Sequence, residues 1–120
     1  MSEADTPGRL LVSCLCAAWC GSCRDYRATF DALASRFGSG VDFAWIDVED
    51  EADALGDLDV EDFPTLLIAE GETLRFLGAV TPQPETAERL IGSAIAGQLV
   101  APNDPDLVAR VRRIVSARSR

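Results

Sequence analysis

The sequence predicts an α/β domain, a four-stranded mixed sheet with helices on both faces and an extra C-terminal helix. Three observations predict it. Strand-like and helix-like runs alternate through the first sixty residues, which implies parallel pairing with a right-handed crossover. Two further strand-length apolar runs then flank a Glu70-Gly71-Glu72 turn, the pattern of an antiparallel hairpin. The 120 residues, 48% of them hydrophobic, can bury about two-thirds of their unfolded surface without cross-links.

Residues 1–8 carry Pro7 and Gly8 and no apolar period, and they read as a disordered tail. The domain proper is expected over 9–97, followed by a linker and a basic amphipathic helix over 98–120. Leu10 to Ala17 form a nearly continuous apolar run suited to a central strand covered on both faces. Cys23, Tyr26, Phe30, Leu33 and Phe37 then recur every three or four residues, an amphipathic core helix that stops at Gly38. Val41 to Val48 has strand composition, and Glu49 to Leu58 reads as a short acidic helix with Ala52, Leu55 and Leu58 inward. The hairpin strands are expected at 63–69 and 73–78, and a third helix at 85–96. Asp104-Pro105 places a cap residue and a first-turn proline at the start of the last helix.

Cys20 and Cys23 lie where the first strand-like run gives way to the helix. Cysteines three apart in a helical first turn have Cα atoms about 5 to 6 Å apart, within disulfide reach. A sulfur at a helix N-terminus also meets unpaired backbone N–H groups and the positive end of the dipole, which stabilise negative charge there. Cys20 is the better placed nucleophile. Redox chemistry at this pair is favoured over half of a zinc site, because the chain has no His and only two other cysteines. Neither a metal nor a cofactor is expected.

Composition narrows the rest. The net charge of −9 disfavours nucleic acid and anionic lipid as partners, and no apolar run reaches the length of a membrane span. The acidic, polar start is the reverse of a secretory signal, so a cytoplasmic location is expected, where a cysteine pair is catalytic or metal-binding more often than structural. All 11 basic residues are Arg. Without His or Lys there is no imidazole base and no Schiff-base lysine.

A strand ending in Trp19-Cys20-Gly21-Ser22-Cys23, a long helix, a strand, a short helix, then Phe63-Pro64-Thr65 before a hairpin with Phe76-x-Gly78: over residues 9–97 this set resembles the thioredoxin superfamily. The resemblance implies a minimal version of that fold, since the N-terminal strand and helix of full thioredoxins have no counterpart. It implies thiol-disulfide exchange on protein disulfides, with Cys20 attacking and Cys23 resolving, in company with an electron donor or acceptor not named by the sequence. Trp19, Gly21, Ser22, Phe63 and Pro64 would bind substrate, Pro64 as a cis-proline facing the sulfur pair. The rival reading is a redox-inert module that keeps the fold for protein contacts. Departures are specific. Gly21-Ser22 stands where Gly-Pro is usual, Cys14 occupies the place of the buried Asp, Trp45 that of its companion Lys, and Ala28 that of the helix proline.

Cys14 and Cys16 alternate on one strand and share a face, a poor geometry for a mutual disulfide. They read as buried thiols acting as small hydrophobes. Nine acids among residues 47–62 read as a solvated face. Finally, residues 106–120 hold five Arg against one Asp, whereas residues 1–105 hold six Arg against nineteen acids. The last helix is therefore expected to dock beside the acidic helix, within one chain or swapped between two in a homodimer.

Overall fold

The computed structural model describes residues 10–17, 20–37, 40–56, 60, 63–101 and 104–118. Its elements run β1 (Leu10–Cys16), α1 (Gly21–Phe37), β2 (Val41–Asp47), α2 (Ala52–Leu55), β3 (Thr65–Glu70), β4 (Thr73–Ala79), α3 (Pro84–Ile95) and α4 (Pro105–Arg118). The tail expected at 1–8, Gly38 and Leu58 lie outside the described residues.

The sheet order is β2-β1-β3-β4. β1 pairs parallel to β2, with Leu10 opposite Val41 and Cys16 opposite Asp47, and antiparallel to β3. All seven residues of β1 are buried, because it has a strand on each edge and helices on each face. Side chains alternate across a strand, so β1 feeds two cores. Leu10, Val12, Cys14 and Cys16 meet Cys23, Tyr26, Phe30 and Leu33 of α1 and Ala87, Ile91 and Ala94 of α3. Leu11 and Leu15 meet Leu55 of α2 and Leu107, Val108, Val111 and Ile114 of α4.

β3 and β4 form the expected hairpin, with Gly71 in the left-handed region at φ 59°. A bulge after Ile68 sets Phe76 opposite Ile68 but Leu74 opposite Ala69. The extra residue in β4 lets Leu74 and Phe76 serve opposite cores. The bulged Arg75 turns its guanidinium to Glu70 Oε1 at 2.8 Å.

The acidic helix is shorter than its composition predicts. Asp47 Oδ1 accepts the backbone N–H groups of Glu49 (2.8 Å) and Asp50 (3.1 Å), which holds the segment before α2 in a turn. At the other end Gly56, at φ 67°, donates its N–H to Ala52 O and stops the helix. Of the residues expected inward, Leu55 is buried whereas Ala52 is exposed.

The last helix docks where the charge pattern places it, beside α2 and within the same chain. Asp104 caps it, its Oδ1 accepting Leu107 N–H at 3.1 Å. Arg110 then donates to the Leu55 carbonyl (2.9 Å), one of the last carbonyls of α2, and pairs with Asp106 (2.8 Å). Arg112 donates to Gly71 O at 2.8 Å, tying α4 to the hairpin turn.

Candidate active site

Cys20 is the residue before α1. Its carbonyl accepts the N–H of Arg24 at 3.2 Å and its own N–H reaches Ala17 O at 3.0 Å, so it caps the helix and Cys23 is the third helical residue. The two differ sharply in exposure. Cys20 is half-buried, packed on the edge of the α1-side core, whereas Cys23 is 1% exposed. Gly21 and Ser22, between them, are exposed. Phe63 is half-buried against the same core as Cys20, and Pro64, joined to it by a cis peptide bond, is buried. Trp19 lies outside the described residues.

Beside the expected Cys20/Cys23 pair, a third cysteine lies close to Cys23. Cys16 lies within disulfide distance of Cys23, with Cα atoms 5.7 Å apart, and Cys20 is a free thiol. The reason is which face of the sheet α1 covers. Cys16 ends β1 on the side that α1 packs against, and Cys23 is the first α1 residue turned to that side, so the two meet at a separation suited to a disulfide. Cys16 is thus packed in the core and also within reach of Cys23. Sequence reasoning missed this partner because strand alternation says that Cys14 and Cys16 share a face, not which helix lies over it.

Cys14 remains free and wholly buried, its Sγ 3.6 Å from that of Cys16. Burial pushes its thiol up to about 12, only partly opposed by the positive charge of Arg27. The nearby hydroxyl of Tyr26 is likewise pushed up to about 12, by burial and by Cys14, and has no hydrogen-bond partner among the described residues. Both groups keep their protons at neutral pH, so neither can stand in as the base that an ionised carboxylate would supply there.

A cleft beside Cys23 is lined by Ala17, Arg24, Arg27, Trp45 and Asp47. Arg27 lies over the Trp45 ring, 4.9 Å from its centroid, so a cation borne by α1 sits at the position whose β2 residue is aromatic. Phe30 also meets Trp45 edge-on at 5.7 Å. Among the described residues no cluster of His, Cys, Asp or Glu is arranged to hold a metal ion, and no helix is long and apolar enough to cross a membrane.

The Thioredoxin family model matches residues 4–90, and the chain belongs to that family. Thioredoxin H2-2 of Oryza sativa subsp. japonica is 36% identical over 80 residues, which cover 65% of this chain and 59% of the rice protein, so the chain spans less than two-thirds of that relative. A thioredoxin of Listeria monocytogenes is 28% identical over 87 residues, 72% of this chain and 84% of the bacterial one. Among solved structures, Fasciola hepatica thioredoxin gives a TM-score of 0.64 at 27% identity, covering 72% of this chain and 81% of its own. The germline-specific thioredoxin Deadhead of Drosophila melanogaster gives 0.65 at 22% identity, covering 75% and 83%. The last comparison bears on the fold alone.

Proposed function

We propose that the chain is a thiol-disulfide oxidoreductase acting on protein disulfides, with Cys20 as nucleophile and Cys23 as resolving thiol. One observation carries the reading: a half-exposed free thiol caps the N-terminus of α1 while a second cysteine lies buried one turn inside. The Cys20 thiolate attacks one sulfur of a client disulfide and expels the other as a thiolate. Cys23 then attacks Cys20 Sγ, releasing the second client thiol and leaving Cys20–Cys23 oxidised. Two electrons pass to the client, and an electron donor returns them to the chain. Trp19, Gly21, Ser22 and the Phe63-Pro64 edge would seat the client's backbone, a role supported by Phe63 sharing a core edge with Cys20. The acidic surface around α2 favours basic or neutral clients over phosphate backbones, and the chain would work in the cytoplasm.

Insulin reduction by dithiothreitol tests this. The chain should accelerate it and Cys20→Ser should not. A wild-type rate equal to that of Cys20→Ser would instead support a redox-inert binding module.

A further inference from the structure

Cys23 has two partners within disulfide reach. Cys20 stands one helical turn before it on α1, a spacing of about 5 to 6 Å between Cα atoms, while Cys16 approaches from β1 at 5.7 Å. One sulfur can hold only one of them. The two resulting states differ in where the oxidised bond lies: Cys16 and Cys23 are each 1% exposed, whereas Cys20 borders solvent. A fourth sulfur, that of Cys14, lies 3.6 Å behind Cys16.

We propose that Cys16 is a second resolving thiol, which takes Cys23 from Cys20 and moves the disulfide from the surface into the core. The Cys16 thiolate attacks Cys23 Sγ, the Cys16–Cys23 bond forms, and the Cys20–Cys23 bond breaks. Cys20 leaves as a thiolate and takes up the proton that Cys16 gave away. Electrons balance within the chain, one disulfide being exchanged for another, so no external oxidant or reductant enters this step.

Cys14 is the positioning residue for it. In the bonded state Cys16 carries no hydrogen, so the contact between the two sulfurs is a Cys14 S–H directed at Cys16 Sγ. Because burial keeps that proton in place, the same S–H can steady a Cys16 thiolate before it attacks and after the bond reopens. The oxidised chain then has a property that a two-cysteine site lacks. It holds one disulfide in the core and still presents a nucleophilic Cys20, able to form a further mixed disulfide that a client's own thiol resolves. Such a chain suits disulfide exchange among clients as well as net reduction.

The inference rests on the oxidoreductase reading for the origin of the Cys20–Cys23 bond, but its test does not. The reduced full chain is oxidised with one equivalent of diamide, acid-quenched, blocked with N-ethylmaleimide, reduced, and labelled with iodoacetamide. Tryptic cleavage after Arg9 and Arg24 leaves all four cysteines on one peptide, whose tandem fragmentation reads the label at each position. Iodoacetamide should lie on Cys16 and Cys23 in most molecules, with maleimide on Cys14 and Cys20. Cys20→Ser should still form one intramolecular disulfide, and Cys16→Ser should shift the label to Cys20 and Cys23. Iodoacetamide confined to Cys20 and Cys23 in the intact chain overturns the proposal even where insulin is reduced. Label on Cys16 and Cys23 without insulin reduction sustains it while removing the oxidoreductase reading.

Discussion

Buried polar atoms along β1 and α1 set how the site responds to pH. Cys14, whose ordinary value is 9.0, and Tyr26, ordinarily 10.0, are both pushed up to about 12, chiefly by burial. Above pH 9 the unfolded chain releases the Cys14 proton while the folded chain keeps it, and above pH 10 the same holds for Tyr26. The native state then binds more protons, so stability falls as pH rises, by about 1.4 kcal/mol per pH unit for each group, until the folded groups titrate near 12. Urea unfolding at pH 8, 9.5 and 11 should show this loss, and a Cys14→Ala, Tyr26→Phe double variant should flatten it. An equal slope in wild type and variant would show that other groups control the alkaline limb. The missing carboxylate yields a second expectation. Cys14→Asp should speed resolution of the mixed disulfide, by about a hundredfold where proton removal limits the rate, and should cost about 1–3 kcal/mol in stability through burial of the new polar group. Insulin turnover that stays flat or slows would mean that water already takes the proton.

Among the elements, the junction of α2 and α4 depends on a glycine. Gly56 has φ 67° and ψ −126°, a region that essentially only glycine occupies, and a Cβ there would run into the Arg110 guanidinium. That guanidinium is held by Leu55 O and Asp106. Gly56→Ala should therefore destabilise the fold by about 1–3 kcal/mol from backbone conformation alone, with more from displacing Arg110. Arg110→Ala should cost about 1 kcal/mol through the lost hydrogen bond to Leu55, and the double variant less than the sum because the clash is then relieved. Strict additivity in denaturant melts would show that the two positions do not interact. The terminal helix is thus held by specific polar ties as well as by its apolar face.

For the molecule as a whole, the two cores share one strand but have unequal roles. The α1 side holds all four cysteines, and the other side is completed by α4, whose Leu107, Val108, Val111 and Ile114 are all buried. Burial of such side chains stabilises by about 1.5–3 kcal/mol each, so four of them are comparable to the whole stability of a small domain, about 5–15 kcal/mol. Deleting residues 104–120 should lower the melting temperature sharply or cause aggregation, because Leu11, Leu15, Ile46 and Leu67 lose their cover. A soluble, active monomer with an unchanged melting temperature would show that α4 is instead an arm for a partner. The covered face also explains how this four-stranded sheet closes both of its layers.

Periodicity and turn chemistry are local, and they were legible in the chain: the continuous apolar run of β1, the three-to-four spacing of α1, the Gly71 turn and the Asp104-Pro105 helix start all follow from neighbours in sequence. Charge is additive over long stretches, and the opposite signs of the C-terminal helix and the rest placed α4 beside α2. Other features depend on groups brought together from distant positions. The short α2 needed the Asp47 carboxylate to capture two backbone N–H groups, a competition that composition does not reveal. The approach of Cys16 to Cys23 was decided only by the tertiary structure. Helical spacing makes Cys20 its neighbour along the chain, but the packing of α1 over one face of β1 brings Cys16 as near from across the core. A sulfur bonds according to distance in space, and that distance is set by which layer covers which face.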